Sequence, residues 1–201
     1  AAQVFAYDEA IAAYGRALEC AQALNLPGEQ IAIEESIGGT LLLRGDRVPA
    51  SEHFEKALAL ATKPRERARL QSLAASSLVS NADPRGLAYV REALAGLDPV
   101  TDPIETADAM ATEGRFHHLA GRHHRAIELM EQAAALAAPG PEGAPMTSRQ
   151  ASTLTTIYSY LAGAHQHLAL FRDADRWARV TIEFGEKHGL PLAVAIGYEF
   201  L

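Results

Sequence analysis

The sequence predicts an all-α chain built from stacked helix pairs. Of its 201 residues, 40 are alanine, the best helix former, whereas β-branched residues are sparse. A pattern of a small, a larger and again a small residue, at spacings of four and then three, recurs along the chain and lies on one helix face. Proline and glycine separate the copies, as expected where helices start and stop.

The recurring pattern is evenly spaced. Its five copies begin at Ala10, Ala50, Gly86, Ala126 and Ala174, at intervals of 40, 36, 40 and 48 residues. The last interval contains the segment 139–146, which is eight residues long and too rich in proline and glycine to be helical. Without this segment the interval returns to 40, so we interpret the series as an internal repeat.

Each copy predicts one helix, called here a B helix, and the apolar-periodic stretch between copies predicts a second, the A helix. The B helices are expected over 7–24, 47–61, 84–96, 122–138 and 172–187. The A helices are expected over 29–44, 65–80, 104–120, 148–169 and 190–201. Prolines mark several boundaries because the residue before proline avoids helix, and Gly45, Gly121 and Gly189 stand where C-caps are expected.

These residues resemble tetratricopeptide (TPR) repeats. The family pattern has a small residue within helix A, a glycine near the A–B turn, and then alanine, an aromatic residue and alanine along helix B. One repeat matches closely, through Gly38, Gly45, Ala50, Phe54 and Ala57. A second matches through Gly114, Gly121, Ala126 and Ala133, with Met130 in place of the aromatic residue.

The resemblance implies an all-α superhelix of about five helix-turn-helix repeats, the first and last incomplete, in a single domain over residues 1–201. Two features depart from the family pattern. The repeats are longer than the usual length of about 34 residues. The tryptophan position of helix A holds Glu34, Met110 and Tyr158.

Long, alanine-rich repeats of this kind resemble the TPR segments of large bacterial regulators, which also carry a signalling ATPase, a nucleotide cyclase or a DNA-binding module. The sequence begins inside one repeat, without Met, and stops inside another, which predicts a piece of such a protein. The resemblance implies a non-catalytic scaffold that binds a protein or peptide in a concave groove. The alternative is a segment that senses a small-molecule effector for a signalling ATPase or transcription regulator.

The groove-facing positions of helix A in the family can be mapped onto this chain. They correspond to Glu35, Leu42, Gln71, Leu78, Asp108, Ala111, Arg115, His118, Ser159, Gly163, Gln166 and His167. This lining has mixed polarity and includes Arg115, so we expect it to bind a short acidic or polar peptide.

Charge and hydropathy restrict the other partners. The net charge of −7 argues against broad binding to nucleic acid or to anionic membranes. No apolar run reaches the roughly 18 residues needed to cross a bilayer. The first residues lack the basic and apolar regions of a signal peptide, which leaves a cytoplasmic location as the expectation.

Signatures of catalysis and of cofactor binding were not found. The sequence has no His-Glu-x-x-His and no Gly-x-Ser-x-Gly motif, and the glycines of Ser36–Thr40 lie inside an expected helix without a phosphate-binding lysine. We therefore expect no enzyme activity and no cofactor. Cys20, the single cysteine, excludes an intramolecular disulfide and is expected to be a buried small residue.

Histidines are concentrated in one part of the chain, with six of the eight between residues 117 and 167. A metal site needs three or four converging ligands, and nothing in the spacing forces convergence. We expect His117 and His165 to pack between helices and His123 and His124 to lie in an exposed turn, with no metal bound. A pH-dependent switch is a second possibility, since histidine titrates near neutrality.

The two ends of a repeat array carry apolar faces that a capping repeat would cover. Here those faces would contain Val4, Phe5, Ile196, Tyr198 and Phe200, which predicts self-association through the terminal repeats. Trp177 lies beside the pattern residue Ala178 and is expected to pack between repeats.

Overall fold

The computed structural model describes residues 2–81, 83–138 and 146–201, and the side chains of residues 2–5 and 81 lie outside that description. The described residues form ten α-helices and one short 3-10 turn, with no strands. The chain divides into two compact units, residues 1–96 and 97–201. The all-α repeat fold expected from the sequence is confirmed. A single domain over 1–201 stays a prediction.

Unit 1 contains five helices that pack in chain order, each against the next. They are α1 (Ala2–Ala23), α2 (Pro27–Arg44), α3 (Arg47–Leu60), α4 (Pro64–Leu78) and α5 (Pro84–Gly96), with the 3-10 turn Val79–Asn81 after α4. Here α2 and α4 are A helices, whereas α1, α3 and α5 are B helices.

Unit 2 contains five further helices, which also pack in chain order but begin with an A helix. They are α6 (Pro103–Leu119), α7 (His123–Ala137), α8 (Ser148–His167), α9 (Phe171–His188) and α10 (Pro191–Glu199). The A helices are α6, α8 and α10, and α8 contacts both of the others. Most of the expected proline- and glycine-rich segment, residues 139–145, lies outside the described residues.

Helix boundaries follow the predicted punctuation closely. Four of the five A helices begin with a proline, whose missing N–H costs nothing in the first turn. The fifth, α8, is instead capped by Thr147, whose side chain accepts a hydrogen bond from the backbone N–H of Gln150 at 3.1 Å. The predicted glycine C-caps are confirmed, since Gly45, Gly121 and Gly189 all have positive φ angles. The start of α1 was predicted five residues too late.

The pattern residues form the contacts between A and B helices. Ala50, Phe54 and Ala57 of α3 are almost fully buried. Phe54 packs against Gly38 of α2, where an added Cβ would lie 2.7 Å from Phe54 Cε1. The small residue of helix A therefore makes room for the aromatic ring of helix B. The equivalent pair in unit 2 is Gly114 and Met130. A Cβ added at Gly114 would lie 3.0 Å from Met130 Cε.

A second close approach joins the last two helices. A Cβ at Gly197 of α10 would lie 2.5 Å from Ile182 Cγ1 and 2.9 Å from the backbone oxygen of Ala178, both in α9. Because part of this obstacle is backbone, α10 can reach its position only with glycine at residue 197. This contact fixes the wall of the site described below.

The core of unit 2 contains both aliphatic and aromatic side chains. Leu154, Ile157 and Leu161 of α8 are fully buried. Trp177 of α9 is half-buried, and its ring stacks on Tyr158 at a centroid distance of 5.6 Å. Tyr158 belongs to the A helix of the same repeat, so the predicted packing of Trp177 between repeats stays a prediction.

The expectation that Cys20 is buried is wrong. Cys20 is exposed, whereas its neighbour Ala21 is buried. Adjacent residues of a helix point about 100° apart, so the inward side of α1 passes through Ala21 and not through Cys20. None of the helices in the described ranges is both long and apolar enough to span a bilayer.

Candidate functional site

One face of α8 carries small polar side chains in helical register. Ser148, Ser152, Thr155 and Ser159 are spaced by four, three and four residues and therefore share this face. Short side chains leave space beside a helix, and here that space is bordered by α6 and α10. Two adjoining pockets fill it.

The larger pocket has a volume of about 540 Å³. The hydroxyl-bearing face of α8 forms one side. The other side is apolar and consists of Leu190, Pro191, Leu192 and Ile196, which we call the α10 wall. Arg115 of α6 also lines this pocket, and its guanidinium lies over the Tyr160 ring, 5.5 Å from the centroid.

The smaller pocket has a volume of about 350 Å³ and continues the first. Ser159, Tyr160 and Ile196 line both pockets, so the two form one elongated depression, here called the α8 trough. The end formed by the smaller pocket is more polar and includes His118, Gln166, His167 and Glu199, together with Gly163 and Phe200.

Three imidazoles meet at this end of the trough. The ring centroids of His118 and His123 are 5.0 Å apart, those of His118 and His167 are 5.1 Å apart, and those of His123 and His167 are 4.8 Å apart. We call this group the histidine triplet. Tyr160 contacts His118 edge-on at 5.3 Å.

The triplet corrects one expectation about the histidines. His123 was predicted to lie in an exposed turn, but it begins α7, is half-buried and stacks on His167. His117 and His165 are buried between helices, as predicted. His117 accepts a hydrogen bond at Nδ1 from Arg122 Nε at 2.9 Å, and His165 donates from Nδ1 to the Leu161 carbonyl at 2.7 Å. Among the described residues, no group of three or more His, Cys, Asp or Glu side chains is placed to hold a metal ion.

Burial, followed by smaller contributions from the neighbouring His123 and His167, lowers the pKa of His118 from 6.5 to about 4. The pKa of His123 is also lowered, first by burial and then by His167 and His124. When a folded-state pKa lies below the unfolded-state value, the unfolded chain binds more protons in the interval between them. Unfolding is therefore favoured as the pH falls from 6.5 towards 4.

We accordingly expect acidification from about pH 7.5 to about pH 5 to lower the melting temperature of the wild type. The melting temperature of a His118→Asn variant should fall by less. Thermal unfolding followed by circular dichroism at the two pH values measures both. His188→Asn, in the last turn of α9, is the matched control and should respond as the wild type does. Equal losses in the wild type and in His118→Asn would show that His118 is not responsible.

Most of the groove residues predicted in unit 2 line this trough. Arg115, His118, Ser159, Gly163, Gln166 and His167 all do so. Asp108 instead lies between α6 and α8, where it accepts hydrogen bonds from Arg149 Nη2 at 3.2 Å and Thr153 Oγ1 at 3.4 Å.

The positions predicted in unit 1 are engaged within that unit. Glu35 pairs with Arg69 across α2 and α4. Gln71 is only 6 % exposed and donates a hydrogen bond to Glu92 of α5 at 2.6 Å, so it lies on the face of α4 that packs against α5. A groove role for Glu35 and Gln71 stays a prediction.

The α10 wall was not predicted as part of a site. Ile196 and Phe200 were expected to be exposed terminal residues, but both are half-buried in the trough. Tyr198 is 61 % exposed, as expected. The predictions for Val4 and Phe5 lie outside the described side chains. The regular spacing of Ser and Thr along α8 is a signal that could have indicated the trough.

Comparison with known proteins supports the fold. No protein-family model matches the chain, and no curated protein matches it. Among solved structures, BtubC (BKLC) from P. vanneervenii has a TM-score of 0.71 at 18 % identity, over 91 % of this chain and 74 % of that one. MamA has a TM-score of 0.61 at 20 % identity, over 91 % of both chains.

A thermophilic TPR protein from Thermus thermophilus has a TM-score of 0.57 at 23 % identity, over 96 % of this chain and 90 % of that one. At these identities the similarity concerns the fold alone. The helix pairs, the small-residue contacts between them and these structural neighbours together show that the chain has a TPR-like fold.

Proposed function

We propose that this chain is a non-catalytic scaffold that binds a polypeptide segment in the α8 trough. The supporting observation is the continuity of the two pockets through Ser159, Tyr160 and Ile196, which produces an elongated surface across three A helices. An extended segment fits such a surface, because its side chains and backbone groups follow each other along a line. TPR-like scaffolds commonly bind protein partners, which supports the same function.

The alternative is an effector-sensing segment, and it requires a closed polar pocket. The borders of the trough do not favour it, since Ser152, Gln166 and His167 are exposed and Leu192 is 72 % exposed. Membership of a multidomain bacterial regulator, a cytoplasmic location and self-association through the terminal repeats stay predictions. So does the expected absence of nucleic-acid and membrane binding.

The proposal is tested by blocking the trough. A library of random peptides, each about a dozen residues long, is displayed on phage and selected on the immobilised full chain, and the enriched peptides are synthesised. Ser152→Trp puts a large side chain into the larger pocket at an exposed position. We expect it to weaken binding of the enriched peptides at least about tenfold, as loss of a main contact surface does. Fluorescence anisotropy measures the dissociation constants.

The matched control is Gln132→Trp, which introduces the same side chain at an exposed position of α7 that does not line the trough. It should bind the peptides as the wild type does. Circular dichroism verifies that both variants are folded. If no peptide is enriched, or if the two tryptophan variants bind equally well, the trough is not the binding surface.

A further inference from the structure

Two turns of unit 2, between α6 and α7 and between α8 and α9, have the same backbone geometry. The N–H of Arg122 donates to the His117 carbonyl, and the N–H of Leu170 donates to the His165 carbonyl, both at 2.9 Å. Each turn also contains one residue with a positive φ angle, as is usual where a helix ends. The backbone therefore holds the side chains of both turns in fixed directions.

These turns lie side by side and carry positive charge only. The rings of His123 and His167 stack at a centroid distance of 4.8 Å, which brings the segments 119–125 and 167–172 together. The two segments, here called the basic edge, contain three arginines, three histidines and no aspartate or glutamate. In a chain with a net charge of −7, the basic edge is a local reversal of sign.

The charges of Arg122 and Arg172 are not neutralised by nearby carboxylates. Both residues are exposed. Nε of Arg122 donates to Nδ1 of His117 at 2.9 Å, and this acceptor carries no negative charge. The first acidic residue after each segment is already paired with another arginine, as Glu128–Arg125 at 2.9 Å and Asp173–Arg176 at 3.7 Å.

The corresponding turn of unit 1 shows that the geometry does not require positive charge. There the N–H of Asp46 donates to the Leu41 carbonyl at 2.9 Å, so Asp46 occupies the place that Arg122 and Leu170 have in unit 2. Asp46 also pairs with Arg44. A carboxylate is thus compatible with this position, and the formation of the turn does not explain its absence from the basic edge.

Bulky apolar side chains accompany the arginines. Phe171 is 66 % exposed, and Leu119 and Leu170 are also exposed. Covering them would remove apolar area from water, which stabilises a complex. Because the turns are already fixed by backbone hydrogen bonds, little ordering of the chain would oppose binding.

An acidic amphipathic helix complements this combination, because its apolar stripe is flanked by carboxylates. An extended segment binds by adding to a sheet edge, and the described residues contain no strand. A membrane or a nucleic acid would face much of the chain, whose net charge of −7 opposes binding. A single helix responds mainly to charges within a Debye length of about 10 Å, where the basic edge dominates.

We propose that the basic edge binds an acidic amphipathic helix of a protein partner. Phe171 and the two leucines contact the apolar stripe of that helix, whereas Arg122 and Arg172 bind its carboxylates. Within the basic edge, His167 alone also lines the α8 trough. This second binding surface is therefore separate from the one in the proposed function and can be tested independently.

The test uses three synthetic helical peptides of about 18 residues, because shorter helices are marginal in water. The first has a leucine stripe flanked by glutamate, the second has lysine in place of glutamate, and the third has alanine in place of leucine. The first should bind the full chain at least about tenfold more tightly than the others, which lack either the charge-assisted hydrogen bonds or the apolar contact. Fluorescence anisotropy measures the dissociation constants. The net charge of the chain alone would favour the lysine peptide instead.

Two pairs of variants locate the binding surface. Arg172→Glu and Phe171→Ser should each weaken binding of the leucine–glutamate peptide about tenfold, as expected for residues at the centre of an interface. The matched controls are Arg47→Glu and Leu43→Ser, at exposed positions of the corresponding turn in unit 1. Both controls should keep the wild-type affinity. Circular dichroism verifies that all four variants are folded.

Several results would overturn the proposal. Equal affinity for the glutamate and lysine peptides, or equal effects of the test and control variants, would show that the basic edge does not bind an acidic helix. Ser152→Trp should leave this binding unchanged, and a loss would place the peptide in the α8 trough. If the chain instead binds vesicles of equal parts phosphatidylcholine and phosphatidylserine, loses this binding in Phe171→Ser and shows no preference among the peptides, the basic edge contacts a membrane.

Discussion

Phe54→Ala is expected to lower the free energy of unfolding by about 3–5 kcal/mol, the usual cost of removing a fully buried aromatic ring. Phe54 is 1 % exposed and packs among Ile37, Leu41 and Ala74 as well as Gly38. Its removal leaves a cavity between α2, α3 and α4 that the small neighbours Gly38 and Ala74 cannot fill. Urea unfolding of the full chain, followed by circular dichroism, measures the change.

A second substitution makes this prediction specific to the Gly38–Phe54 contact. In the wild type, Gly38→Ala should destabilise by about 1–3 kcal/mol, because the new methyl group would overlap the ring. In the Phe54→Ala background it should stabilise by up to about 1 kcal/mol, because alanine is the better helix former. A cost that is equal in both backgrounds would show that the two residues do not interact.

Gly197→Val is expected to destabilise unit 2 by about 3 kcal/mol, at the upper end for overpacking, and to abolish peptide binding in the trough. The added side chain would overlap Ile182 and the α9 backbone at Ala178. Since backbone cannot move aside easily, α10 must shift and take Leu192 and Ile196 with it. Urea unfolding and fluorescence anisotropy with a selected peptide measure the two effects.

Ala195→Val is the matched control, because it places the same side chain at a more accessible position of the same helix, away from the contact with α9. It should cost about 0.5 kcal/mol, the difference in helix propensity, and leave peptide affinity unchanged. Undiminished peptide binding by a folded Gly197→Val variant would mean that α10 does not form a wall of the site.

The repeat organisation could be predicted because it depends on local patterns. The four-then-three spacing of Ala50, Phe54 and Ala57 is a property of one helix, and the proline and glycine boundaries are properties of single turns. Nine of the ten predicted helices begin and end within two residues of the observed limits.

Features that depend on the rotation of one helix against another were harder to predict than the repeat organisation. Cys20 was assigned to the buried side of α1, an error of one residue in register, because the buried residue is its neighbour Ala21. Glu34 occupies the family's tryptophan position, yet it is buried and its Oε2 lies 2.5 Å from Nδ1 of His53. No pattern in α2 alone could indicate this partner, which is provided by α3.

The candidate site required contacts between elements that are distant in sequence. The resemblance mapped Arg115, Ser159 and Gln166 to one groove, and all three line the α8 trough; their role in partner binding stays a prediction. The α10 wall was not predicted, because it depends on Gly197 bringing α10 close to α9. The position of His123 was not predicted either, because it depends on the end of α8 meeting the start of α7.

The stacking of Trp177 on Tyr158 has a practical consequence for experiments. Trp177 is the single tryptophan of the chain, and it belongs to unit 2. Its fluorescence emission therefore follows the melting of unit 2 alone, whereas the far-ultraviolet dichroism of the helices sums both halves of the chain. Recording the two signals on one sample gives an optical assay, without any added label, of whether the halves denature as one cooperative system or independently.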